Sequence, residues 1–205
     1  AIRALCDQHG IVMIADEVQT FGRTGTLFAC EQLGVQPDVV TVAKALGAGL
    51  PIAATIGRAE IMDAPHLGAV GGTYGGSPLA CVAAIEAVNQ LRSPAFLAQV
   101  THVGHLMCSE LMAMQGNNKL IGDVRGLGPM LLVELVLDRE TKAPAPQHAL
   151  AVIKRCVANG LVLIRAGLYS NCIRFMPPLV ITDDQLREAL AVVAEAIAHV
   201  EANGP

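Results

Sequence analysis

The 205-residue chain is 53% hydrophobic and carries a formal net charge of −4 at pH 7, without a cluster of lysine and arginine. That length and apolar content are enough to bury a real core in one or two domains, and the charge balance argues against nucleic-acid and anionic-membrane partners. No apolar run reaches the roughly eighteen residues a membrane helix needs; the longest, residues 129–137, is interrupted by Glu134. The six cysteines are scattered with no Cys-x-x-Cys, so neither a zinc nor an iron–sulfur site is expected. They read as free thiols of a reducing cytoplasm, the expected location. The histidines lack metal spacing: His102 and His105 share one helix with no third ligand nearby, so no metal is expected.

In chain order, residues 1–9 read as the last turns of a helix with Gly10 as its C-cap. An apolar strand over 11–15 runs into Asp16 and Glu17, followed by a loop over 18–26 and a short helix over 27–33. A second strand, 39–43, ends at Lys44; a third, 52–56, is apolar and β-branched, as in a sheet covered on both faces. Residues 59–62 form a short helix and 68–76 a glycine-rich loop. Ser77 is placed to cap a long helix with Pro78 at its first position.

Ser93-Pro94 marks a boundary, after which the pattern is mixed. A helix over 95–114 precedes strands at 120–125 and 130–137 around Gly126-Leu127-Gly128-Pro129. A helix over 147–159, short strands at 161–165 and 171–175, and an amphipathic helix over 183–202 capped by Thr182 or Asp183 complete the chain.

Two charged residues stand where apolar strands end: Asp16 and Lys44. Ligands of open α/β sheets bind at the carboxyl ends of strands, so a carboxylate and an amine there suggest one site with two electronic roles. Pyridoxal phosphate chemistry uses such a pair, with a lysine Schiff base and a carboxylate on the pyridinium nitrogen. On spacing alone, Asp16 could equally cap a turn and Lys44 reach solvent.

The surrounding stretches are more specific. Ile14-Ala15-Asp16-Glu17-Val18-Gln19-Thr20, Phe21-Gly22-Arg23-Thr24-Gly25, the segment Ala43-Lys44-Ala45-Leu46-Gly47-Ala48-Gly49-Leu50-Pro51 and Gly71-Gly72-Thr73-Tyr74-Gly75-Gly76-Ser77-Pro78 occur in that order. Together they closely resemble the class III (ω-amino acid) aminotransferases, over the whole chain but only the C-terminal half of the family's length. The resemblance implies an α/β fold: residues 1–92 as part of a fold type I pyridoxal-phosphate domain with a mostly parallel sheet, and 93–205 as a small α+β domain. The rest of the family's length would carry a phosphate-gripping segment, an aromatic that stacks on the ring, and most specificity residues. Its absence would leave apolar edges that favour aggregation.

The resemblance also implies roles. Lys44 would form the Schiff base with pyridoxal 5′-phosphate and move the proton; Asp16 would partner the pyridinium nitrogen; Val18 would pack on the ring; Gln19 would bond its phenolic oxygen. Thr73 would bind the cofactor phosphate of a neighbouring subunit, making a homodimer necessary, and Arg174 would fork onto the substrate carboxylate. Gly47 and Gly49 would let the backbone approach the cofactor, while Glu17, alternating in direction, would face away from it. The implied reaction moves an amino group from an ω-amino acid, 4-aminobutyrate favoured, to 2-oxoglutarate. Alternatives are an ornithine, acetylornithine or diaminobutyrate donor, or an inactive remnant. A nucleotide-binding module is disfavoured because no P-loop or dinucleotide fingerprint is present. One departure stands out: the glycine the family usually has between Thr20 and Phe21 is missing, which could re-aim Gln19.

Overall fold

The computed structural model describes residues 1–205, which fall into two compact units, Ala1–Ala98 and Gln99–Pro205. The division falls within the helix Pro94–Asn117. No helix is long and apolar enough to cross a membrane.

The first unit opens with α1 (Ile2–His9), ended by Gly10 at φ 63, where a glycine carries no Cβ penalty. β1 (Ile14–Asp16), α2 (Ala29–Gln32), β2 (Val39–Val42), a 3-10 turn (Lys44–Gly47), β3 (Ala54–Gly57), α3 (Ala59–Met62) and α4 (Pro78–Leu91) follow. β1 is shorter than its apolar run because Ile11 donates its N–H back to the Cys6 carbonyl and Met13 donates to the Asp38 carboxylate. β1 and β2 pair in parallel with Asp16 opposite Thr41. β3 pairs antiparallel to β2, so the sheet is mixed. Pro78 opens α4 as expected, but the Ser77 side chain makes no capping bond.

The core of this unit is small: Phe21, Val42, Leu46, Ala84 and Leu91. Gly47 belongs to it, since a Cβ there would lie 2.9 Å from Ile52 Cγ2; the packing of Ile52 therefore accounts for that glycine without a cofactor. The strands expected to be covered on both faces are not covered by this chain, Ile14 being 62% and Ile56 51% exposed. The physical reason is that no second apolar layer lies over them within the unit.

Asp38, at the foot of β2, pins the strand ends. Its Oδ2 accepts from Met13 N–H and Arg3 Nη1, both at 2.8 Å, and its Oδ1 accepts from Arg58 Nη1 at 2.9 Å. The Met13 N–H, with the Arg3 and Arg58 guanidiniums, holds this carboxyl well below the usual carboxylate range. A depressed folded-state pKa stabilises the fold above the unfolded value near 4 and is lost as pH falls toward the folded value. Asp38→Asn is therefore expected to flatten the loss of stability below about pH 4 in a urea-melt series, while lowering stability at neutral pH. A series parallel to the wild type would refute this role.

In the second unit, α5 (Pro94–Asn117), β4 (Ile121–Leu127), β5 (Met130–Leu135), α6 (Pro146–Ala158), β6 (Ile164–Ala166), β7 (Cys172–Phe175) and α7 (Asp183–Asn203) build one layer of helix on an antiparallel sheet of order β4-β5-β7-β6. Gly128-Pro129 is the two-residue hairpin loop, with Gly128 at φ 51 in the first loop position, where a II′ connection requires it. Thr182 caps α7 reciprocally with Gln185. Alternation along β5 sends Leu131, Val133 and Leu135 to the core, where they meet Met107, Val152, Ile173 and Ile197. All six cysteines are free, and burial pushes the Cys156 thiol up to about 11.

Gly104 in α5 lets that helix approach the hairpin loop: a Cβ would lie 2.6 Å from the Gly128 carbonyl carbon. Backbone cannot yield as a side-chain tip can, so Gly104→Ala is expected to cost about 1–3 kcal/mol in chemical denaturation. A cost below about 0.5 kcal/mol would mean that the helix shifts freely.

Candidate active site

The parallel register sets the carboxyl ends of β1 and β2 side by side. Glu17 donates its N–H to the Thr41 carbonyl at 2.9 Å, extending the pairing one step beyond Asp16. Asp16 Oδ1 accepts from Val18 N–H at 3.0 Å and from the Thr41 hydroxyl at 3.4 Å. Its Oδ2 has no partner in the chain, and Asp16 is exposed. Thr41 was not singled out from the sequence, because its role depends on which strand pairs with which.

Lys44 follows β2 by two residues and is exposed, with no ion pair. Its φ of 45 is in the left-handed region, uncommon for a residue with a Cβ. The strain is imposed from both sides. Val42 and Leu46 are 2% and 8% exposed, and Leu46 donates its N–H to the Ala43 carbonyl at 3.0 Å, closing the 3-10 turn around Lys44. A non-glycine residue held there by its neighbours has the profile of a functional position.

Glu17 is the residue the sequence left without a task. It is 3% exposed, and its carboxylate accepts from the Thr20 hydroxyl, from Ala29 N–H at 3.0 Å and from Cys30 N–H at 2.8 Å. Strand alternation indicated that it faces away from Asp16. The donors it meets lie twelve and thirteen residues on, a tertiary relation that alternation does not contain. Burial, and then the Glu17 charge, push the Cys30 thiol up. The segment after it closes as a helical turn, with Phe21 N–H on the Glu17 carbonyl at 3.0 Å and Arg23 N–H on the Thr20 carbonyl at 2.9 Å. Phe21 seats its ring 5.4 Å from that of Phe28. The loop thus closes with Thr20 joined directly to Phe21. Val18 is half-buried; Gln19 is exposed and its amide bonds nothing in the chain.

Thr73 lies in an exposed turn closed by Gly75 N–H on the Gly72 carbonyl at 3.0 Å, and its hydroxyl has no bond within the chain. Arg174, in the second unit, is half-buried on β7 opposite Leu132 and Ile164. The partner such an arginine needs is not a carboxylate of this chain, since it forms no ion pair. Its strand neighbours Ile173 and Phe175 are buried in the core, so its side chain belongs to the opposite face of the sheet, with Leu132. The structure therefore links Asp16, Val18 and Thr41 by hydrogen bonds and sets Lys44 at the end of the adjacent strand. Gln19, Thr73 and Arg174 have no bonds to that group.

The chain belongs to the class-III aminotransferases: the family pattern Aminotransferase class-III matches residues 1–197. It is 48% identical over 195 residues to the 5-aminovalerate aminotransferase DavT of Pseudomonas aeruginosa, and 44% identical over 195 residues to the 4-aminobutyrate aminotransferase GabT of Escherichia coli. Each match covers 95% of this chain and 46% of the relative, so the chain spans about half the length of these curated relatives. Among solved structures, the taurine:2-oxoglutarate aminotransferase of Bifidobacterium kashiwanohense, in complex with PLP and glutamate, superposes with a TM-score of 0.89 at 32% identity, covering 100% of this chain and 47% of that one. The N-acetylornithine aminotransferase of Stenotrophomonas maltophilia superposes with a TM-score of 0.82 at 35% identity, covering 98% and 50%.

Proposed function

We propose that this chain carries the lysine-bearing part of a cytoplasmic, homodimeric ω-amino acid aminotransferase. It would move an amino group from 4-aminobutyrate or 5-aminovalerate to 2-oxoglutarate. The observation that carries the reading is the pairing, at adjacent parallel strand ends, of a carboxylate with one free oxygen and an exposed, strained lysine. The relatives' names support the donor class.

The donor set fits pyridoxal phosphate, which when bound supplies an electron sink for the substrate's amine-bearing carbon. Lys44 would hold it through the amine and, once released, carry a proton to and from that carbon. Asp16 would keep the ring nitrogen protonated, with Thr41 and the Val18 N–H fixing the orientation of the carboxylate. Val18 would pack on the ring and Gln19 bond its phenolic oxygen. Thr73 would take the phosphate held by the partner copy, and Arg174 would fork onto a substrate carboxylate.

A second reading is a remnant that no longer turns over substrate. The test is glutamate formation from 2-oxoglutarate and pyridoxal phosphate with each donor in turn. Lys44-dependent glutamate from either donor supports the reading. Retention of cofactor with neither donor used contradicts the donor assignment, and no retention by the folded chain supports the remnant.

A further inference from the structure

The face of the second sheet opposite its core carries an ordered charge pattern. Pairing across β4-β5-β7-β6 builds two rows. One is Arg125, Leu132, Arg174 and Ile164; the next is Asp123, Glu134, Cys172 and Ala166. Leu131, Val133 and Leu135 alternate to the buried side, and Arg125 Nη2 lies 4.0 Å from Cys172 Sγ, which places these rows on one face.

Glu134 therefore has an arginine diagonal to it on each side, Arg125 on β4 and Arg174 on β7. Diagonal neighbours on one face are about 7–8 Å apart, within reach of long side chains. Only one arginine holds it. Arg125 Nη1 donates to Glu134 Oε2 at 2.5 Å and to Asp123 Oδ2 at 2.8 Å. On the other oxygen, the buried Asn171 donates to Glu134 Oε1 at 3.4 Å while anchored on the Leu135 carbonyl at 2.9 Å. Asp123 and Glu134 also face each other directly, a like-charge pair that is unfavourable without a shared cation. Arg125 is that cation, and Arg174 is left with no ion pair.

We propose that Arg125 is a positioning residue that keeps Arg174 available for a carboxylate ligand by holding Glu134, which would otherwise pair with Arg174 and mask it. This rests on reading Arg174 as the carboxylate-binding residue. Its consequence is that carboxylate affinity depends on a side chain two positions across the sheet that never touches the ligand.

Nitrogen-15 NMR of the arginine Nε–H groups tests it directly, with Arg174 assigned by R174Q. In R125Q the Arg174 signal is expected to shift and its exchange with water to slow as Glu134 engages it, and in R125Q/E134Q to return to the wild-type position. Should R125Q fail to fold, D123N/R125Q relieves the facing like charge and still leaves Glu134 free. With glutarate as probe, affinity is expected to fall about three- to fivefold in R125Q, the worth of a half-exposed ion pair, and to recover in R125Q/E134Q. A merely structural role would not be rescued by removing a second side chain. An Arg174 signal in R125Q identical to wild type overturns the proposal. An unchanged glutarate affinity in R174Q instead removes the reading of Arg174 as the carboxylate binder, while the Arg174 signal still decides whether Arg125 prevents masking.

Discussion

Lys44→Gly is expected to stabilise the chain by about 1 kcal/mol and to abolish its retention of pyridoxal phosphate. The first effect follows from the φ of 45, which costs a residue with a Cβ and costs glycine almost nothing. The second follows from loss of the amine that follows β2, the strand paired with the one ending in Asp16. Lys44→Ala separates the two, since it removes the amine and keeps the strained backbone: cofactor retention is lost and stability stays within about 0.5 kcal/mol of wild type. Paired urea melts and cofactor titrations check this. A glycine variant less stable than wild type would mean that Lys44 is there for the fold.

Glu17→Ala is expected to be the most destabilising single change in the first unit. It leaves Ala29 N–H, Cys30 N–H and the Thr20 hydroxyl without their acceptor in a buried setting. Unsatisfied buried donors cost about 1–3 kcal/mol each, with partial relief by water, so a total on the order of 3 kcal/mol is expected. That is large for a unit whose core is five residues. Glu17→Gln should fall between, because its single oxygen accepts while its amide NH₂ confronts a donor. Both variants should loosen the turn that carries Val18 and Gln19, seen as faster amide exchange at residues 18–21. A loss below about 0.5 kcal/mol for the alanine variant would show that the loop is held by Phe21 and Phe28 alone.

Much of the second unit could be read in advance, because its signals are local. The turn expected over Gly126-Leu127-Gly128-Pro129, which the structure tightens to Gly128-Pro129, and the α7 cap expected at Thr182 or Asp183, which falls on Thr182, each act within a few residues. The first unit was harder. Its β1 run promised five residues and gave three, since the N–H groups of Ile11 and Met13 bond to α1 and to Asp38 instead of a strand. The antiparallel direction of β3 is set by tertiary pairing. For the site, Asp16 and Lys44 were legible because charge at the end of an apolar strand is conspicuous. The positive φ at Lys44 was not, for only glycine announces that conformation in a sequence. Thr41 and the inward anchoring by Glu17 depend on residues far along the chain. The ion-pair pattern around Arg174 depends on strand order, which places β5 between β4 and β7.

The most direct measurement is peptide mapping of the chain after incubation with pyridoxal phosphate and reduction with borohydride. There are four amines to distinguish among the lysines: Lys44, Lys119, Lys142 and Lys154. One stable pyridoxyl label is expected, on Lys44, at near-stoichiometric cofactor. Label spread evenly over Lys119, Lys142 and Lys154, or absent from Lys44 in a folded chain, would contradict it.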